Sequence, residues 1–338
     1  MAENLPEHEF NQALKAIEED SISATEKVDL LIQIATGLQQ KPKSPQQLHN
    51  AVTLYDKALA LCPENEALLA ARTHARKGTA LQAIPDNSTD YLFKAQAEFE
   101  VSLPVLNQLG TAEEAAEAEM NLGLVLQSLA GMHAVPITEA IQAYQRALKV
   151  FTRTAYPTEY AILHNNLATV YLSIPMNDER SKMREAMAVQ SFQEALKIIT
   201  LVDQPTEYAM LQNNLGNALQ YASSSHAVEN NLRALEAYDE ALKVRTINDT
   251  PYEYANTICN KANCLCNLPD DLKNPEAGNR DRLRKARDFY REACGIFTQH
   301  GDMAKVNVIN ETLAELEADI GTGQAGSRGG KGFGETRI

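Results

Sequence analysis

The residues of this sequence best suited to chemistry are three clustered cysteines and a recurring set of asparagines. Cys259, Cys264 and Cys266 lie within one short stretch. Thiolates at such spacing can hold zinc, but a zinc site wants four ligands, commonly two Cys pairs or His partners. There is no second Cys pair, and the seven histidines are scattered, His133 and His164 among them. On a helix, Cys259 and Cys266 share a face while Cys264 points towards the core, so small buried or semi-buried residues are expected and no metal. The glycine-rich GSRGGKGFG has neither the strand nor the spacing of a phosphate-binding loop. No catalytic constellation stands out, and neither enzymatic activity nor a cofactor is expected.

The asparagines are more informative. Asn121, Asn166, Asn214 and Asn260 occupy one repeated position, Asn217 and Asn263 lie one turn on, and Asn165 and Asn213 flank them. An amide both donates and accepts, which matches the C=O and N–H of an extended peptide. Each such contact contributes roughly 0.5–1.5 kcal/mol net, so several in series are needed. Beside them run Ile162, Thr169, Met210, Tyr221, Asn256 and Cys266, a mixed and mostly uncharged row. A partner-binding ladder is one reading; hydrogen bonds between neighbouring helices, keeping a stack in register, are the other.

Both readings need helices to carry the amides, and a repeat supplies them. Ala, three residues, an aromatic, two residues and Ala recur at Ala51/Tyr55/Ala58, Ala140/Tyr144/Ala147, Ala188/Phe192/Ala195, Ala234/Tyr238/Ala241 and Ala286/Tyr290/Ala293. A sixth copy, Ala95/Phe99, ends in Ser102, and successive copies are 44, 45, 48, 46 and 52 residues apart. Offsets of four and three put these side chains on one helical face. Two small residues flanking a ring let a neighbouring helix approach closely. That neighbour precedes each copy, with core stripes such as Leu163, Leu167, Val170, Tyr171 or Tyr208, Leu211, Leu215, Ala218, Leu219. Pro157, Pro205 and Pro251 suit the first turn of these helices, and Thr250 with Glu253 has capping-box spacing.

These features resemble tetratricopeptide repeats, whose first helix carries a Leu-Gly pair and whose second carries the Ala–aromatic–Ala set. Leu122-Gly123 and Leu215-Gly216 match the pair, Leu167-Ala168 nearly does, and Pro63 matches the closing proline. The longer period, with NNL at Asn165–Leu167 and Asn213–Leu215, is most similar to the long repeats of kinesin light chains and bacterial relatives. The resemblance implies an all-α, right-handed solenoid of fourteen helices in seven antiparallel pairs. It also implies that asparagines at the repeated position hold peptide backbone on a concave surface. The Lys and Arg clamp of some family members has no counterpart at these positions, which predicts an internal segment or folded surface as ligand.

The expected organisation is a capping helix in residues 1–23 (Pro6 to Asp20), an array over 24–320 that is clearest at 112–293, and a closing helix over 302–319. The tail, 321–338, has seven Gly in 18 residues with Arg328, Lys331 and Arg337; it cannot bury a core and is expected to be disordered, a tether or inert. Its last four residues, Glu335 to Ile338, have a form that a strand-adding groove could take. Several loops are long, namely Gly131–Thr138, Ile174–Lys182, Ala222–Asn230 and Asn267–Arg280. Glu64 to Asn87 has a hairpin's length but almost none of the first-helix signature, and Lys261 replaces a core Leu, putting that unit's packing in question.

Composition bounds the function. The net charge is −14, and phosphate neutralisation needs clustered Lys and Arg, so nucleic acid and anionic membrane are disfavoured as partners. No apolar run approaches the roughly 18 residues that span a bilayer. The polar start MAENLPEHEF does not read as a signal peptide, and five dispersed cysteines form no disulfide framework. A cytoplasmic protein is expected. The leading expectation is a non-enzymatic adaptor binding another protein, such as a subunit of a multiprotein complex. Alternatives are an assembly factor or dedicated chaperone, and a regulatory subunit of a separately encoded enzyme.

Overall fold

The computed structural model describes residues 23–86, 88–174, 180–222 and 226–322. Among these the chain is all-α, of the α-solenoid class, with thirteen α-helices, one 3₁₀ turn and no strand. In order they are α1 (Ala24–Gln40), α2 (Pro45–Leu61), α3 (Ala67–Gln82), α4 (Asp90–Leu109), α5 (Ala112–Gly131), α6 (Ile137–Ala147) and α7 (Pro157–Ser173). Then follow α8 (Ser181–Leu196), α9 (Pro205–Gln220), α10 (Ala227–Leu242), α11 (Pro251–Cys266), the 3₁₀ turn Pro275–Ala277, α12 (Arg280–Gln299) and α13 (Met303–Thr322). The chain forms two compact units, Met1–Asn166 and Leu167–Ile338, with the boundary inside α7. In the first, α1–α2, α3–α4 and α5–α6 are hairpins, each packed on the next. In the second, α9–α10 and α11–α12 are hairpins, with α8 against α9 and α13 against α12.

Each hairpin closes on one ring. Tyr55, Phe99, Tyr144, Phe192, Tyr238 and Tyr290 are all buried. Where the first helix passes under the ring, only a very small residue fits. A Cβ added to Gly216 would lie 2.5 Å from Cε1 of Tyr238; at Gly78 it would lie 2.9 Å from Phe99, and at Gly123 it would run into Tyr144. In the same register stand Ala35, Ala168 and Ala262, all buried. The tyrosine hydroxyls then reach polar groups one and four residues beyond the small residue. Tyr55 bonds Gln39 at 2.9 Å and Thr36 at 3.1 Å, and Tyr144 donates to Gln127 at 2.7 Å. Ser102, replacing the last Ala of the α4 copy, is fully buried and spends its hydroxyl on the Phe99 carbonyl at 3.0 Å.

Lys261 does not disrupt its unit. Its ammonium pairs with Asp239 and lies 5.4 Å from the Phe289 ring centre. Lys77 does the same one residue before Gly78, pairing with Asp56 and Glu98, each at 2.6 Å. In both places the long stem replaces leucine in packing while its head takes the acid that follows the preceding hairpin's aromatic. The cluster around α11 and α12 is continuous, from Ala255 and Ile258 through Tyr290 to Ile309 and Leu316.

Local signals behave mostly as their chemistry dictates. Pro205 and Pro251 sit at helix N1, and α7 begins at Pro157. Just before two of these prolines the chain makes the same turn twice. Thr200 donates to Asp203 and accepts from its N–H at 2.7 and 3.1 Å, and Thr246 with Asp249 repeats both distances. That turn displaces the capping box expected at Thr250, whose hydroxyl is buried without a hydrogen bond among the described residues. True capping boxes form instead at Ser23/Glu26 and Thr111/Glu114. Glu64 to Asn87 holds one helix rather than a hairpin, and the closing helix runs on through Gly321 to Thr322. The expected capping helix at Pro6 to Asp20 and the tail from 323 onward lie outside the described residues. No helix among the described residues is long and apolar enough to cross a membrane.

The ring contact predicts opposite signs for one substitution. Gly37 in α1 is exposed with open space where a Cβ would go, so Gly37→Ala should stabilise by about 0.5–1 kcal/mol. Gly216→Ala should lose stability by about 1–3 kcal/mol through overpacking against Tyr238. Urea unfolding midpoints of the two variants test this, and a gain at both positions would remove the ring contact as a constraint.

Candidate functional site

The repeated amides separate into two classes once their surroundings are visible. One turn past the repeated position they serve the tyrosines. Tyr238 donates to Asn217 Oδ1 at 2.8 Å, with the Gln220 amide also 2.8 Å away, and Tyr290 donates to Asn263. Burial pushes both phenols well above their usual range, so both are donors at neutral pH. Asn213 and Asn260, both buried, bond to each other at 3.3 Å between α9 and α11. These four asparagines hold elements together.

The other class occupies the position two residues before the small one. Asn121 and Asn214 are half-buried and make no side-chain hydrogen bond among the described residues. Asn166 accepts a long bond from Asn165 at 3.4 Å, while its Nδ2 is buried with no partner among the described residues. At this position only Asn260 is committed to another helix.

In α3, a helix that the sequence signature leaves unaligned, the same register holds Arg76, with Arg72 a turn earlier. Arg72 is bidentate to Glu114 at 2.7 and 3.2 Å, and its hydrogen bonds hold that carboxyl below its ordinary range. Arg76 is exposed and has neither hydrogen bond nor salt bridge among the described residues. Arg76, Thr79, Glu117 and Asn121 border a small pocket of about 100 Å³ within the first unit. The signal that locates Arg76 is Gly78, which aligns α3 with its sister helices.

The flanking row divides similarly. Met210 and Ile162 are exposed, 38% and 42%, and Tyr221 is half-buried. Thr169 is exposed, but Cys266 is buried. Asn256 accepts from Lys305 Nζ at 2.6 Å, and that ammonium sits 4.6 and 4.9 Å from the centres of Tyr252 and Phe297. Asn256 thus helps fasten α13 to α11.

All three clustered cysteines are buried, Cys259 and Cys266 included, because α12 and α13 cover the face they share. Cys264 Sγ meets the Asn231 carbonyl at 2.9 Å. Among the described residues no group of His, Cys, Asp and Glu has the arrangement of a metal site.

A comparison with protein-family models finds no match, and neither does one with curated proteins. Among solved structures, that of a Rap protein complexed with competence and sporulation factor aligns with 95% of this chain and 89% of its own, at 12% identity and a TM-score of 0.37. At that level the likeness assigns no ligand and no residue role.

Burial pushes the Cys259, Cys264 and Cys266 thiols up to about 12, leaving essentially no thiolate near neutrality. A disulfide reagent at about pH 8 should leave these three unmodified in the folded chain and label all five cysteines in denaturant. Rapid native labelling of any of the three, read by peptide mapping, would contradict the packing of α11.

Proposed function

We propose that this chain is a tetratricopeptide-like, non-enzymatic adaptor of the cytoplasm that holds an extended segment or surface of another protein. Amides at the repeated position of its first helices do the holding, and no cofactor takes part. One observation carries the reading: at the repeated position Asn121, Asn166 and Asn214 retain unspent amide valence, while Asn213, Asn217, Asn260 and Asn263 are consumed by the fold. Arg76, in the same register, adds a cation without a salt bridge. Partly desolvated amides waiting for a donor–acceptor pair suit the alternating C=O and N–H of a peptide backbone. Exposed Met210, near Asn214 on α9, supplies an adaptable apolar contact. An internal segment fits best, with an acidic side chain opposite Arg76.

The test is affinity purification from the native host followed by mass spectrometry, comparing the full chain with the N121A/N166A/N214A variant. The variant should lose its partner while melting within about 2 °C of the parent. Asn260→Ala should do the reverse, keeping the partner and costing roughly 0.5–1.5 kcal/mol through the lost bond to Asn213. Undiminished capture by the triple variant would overturn the reading.

A further inference from the structure

The first unit has a second cleft, walled by α4 and α6, which carry none of the repeated amides, and floored by α5. It is about 400 Å³ and lies where α4 and α6 both pack on α5. Leu103, Pro104, Leu122 and Leu126 make its apolar part. Glu100, Leu103, Pro104 and Asn107 come from α4, and Glu139, Gln142 and Arg146 from α6. Each set is one continuous helical stripe.

The rim is rich in acceptors, and among the described residues its one donor side chain without a hydrogen bond is the Gln142 amide, which also accepts. Arg146 is spent, bidentate to Glu119 at 2.6 and 2.8 Å. Glu100 takes only the Gln96 amide, at 2.7 Å, and half-buried Glu139 has no salt bridge among the described residues. Pro104 stands inside α4 and has no N–H, so the Glu100 carbonyl lacks its ordinary helical donor. Asn107 gives its N–H to the Leu103 carbonyl at 2.9 Å, leaving its own oxygen outward. Two uncompensated carboxylates and two spare oxygens therefore surround an apolar floor.

We infer that this cleft docks a cationic amphipathic helix of a partner protein, with apolar side chains dipping onto Leu103, Leu122 and Leu126 and flanking Lys or Arg residues meeting Glu100 and Glu139. Lys and Arg carry several donors and no acceptor, the complement of this rim. Small-molecule sites enclose most of their ligand, whereas Glu100, Pro104, Asn107, Gln142 and Arg146 are all exposed. The space admits a few side chains but not a helix, so the occupant lies across the opening. Exposed Val101, 56%, extends the apolar contact along α4.

The experiment uses the full chain and two labelled helical peptides with leucine at i, i+3, i+4 and i+7, one otherwise Lys and the other otherwise Glu, followed by fluorescence anisotropy at about 150 mM salt. The Leu/Lys peptide should bind and the Leu/Glu peptide should not. E100K/E139K should weaken binding by at least about tenfold, while E229K/E236K, an equal charge change on α10, should alter it less than about twofold. Thermal melting of both variants checks that they fold, and Gln142→Trp, which fills the opening from an exposed position, should weaken binding comparably. Equal losses from the two charge reversals would mean diffuse attraction to an acidic protein and would overturn the proposal. So would binding of the Leu/Glu peptide, absence of binding, or a self-associated state in sedimentation that E100K/E139K dissolves.

Discussion

The hairpins depend on an aromatic ring laid on a helix that has almost no side chain beneath it. Gly78, Gly123 and Gly216, with Ala35, Ala168 and Ala262 in register, set how near the two helices of a hairpin can come. Glycine in a helix interior ordinarily costs stability. It is tolerated here because a Cβ would collide with the ring, and the buried ring contributes more than the glycine loses. Four of the six rings are tyrosines, so the contact also carries a hydroxyl into the hairpin, where it needs a partner. That need places Thr36, Gln39, Gln127, Asn217 and Asn263 as securely as any apolar residue.

From this follows the division among the asparagines. A side chain one residue past the small position faces the tyrosine hydroxyl and is spent on it. A side chain two residues before it points away from the ring and stays available, unless a neighbouring hairpin claims it, as Asn213 claims Asn260. The structural reading therefore holds for Asn213, Asn217, Asn260 and Asn263, and the binding proposal rests on other members of the set. The deciding variable is a shift of about one helical turn relative to a ring on another helix.

Much of the fold is legible along the chain because its determinants are local. The Ala–aromatic–Ala spacing locates α2, α4, α6, α8, α10 and α12, and the prolines mark the starts of α7, α9 and α11. What escapes reading depends on partners far away in sequence. Lys77 conceals the first-helix signature of α3, since its fitness for a core position rests on Asp56 and Glu98. With that helix unaligned, Arg76 has no visible register. Thr250 looks like a cap until the Thr246–Asp249 turn is seen to occupy the same bend. Cys259 and Cys266 share a helical face, but only the docking of α13, fastened through Lys305, Asn256 and Tyr252, decides that this face is dry.

The two lysines that replace leucine also meet acids of neighbouring helices. Acid follows the ring in α2 and in α10, at Asp56 and Asp239, and each is met by a lysine of the next hairpin's first helix. Such partly buried pairs add little net stability against a well-packed leucine, but leaving the largely buried lysine without its more exposed acid would be costly. Each pair links a second helix to the first helix of the next hairpin. Where no lysine intervenes, as at α5 with Leu122, the apolar residue remains and lines an open cleft instead. Surplus carboxylates such as Glu100 and Glu139 then stay on the rim, available to a cationic partner.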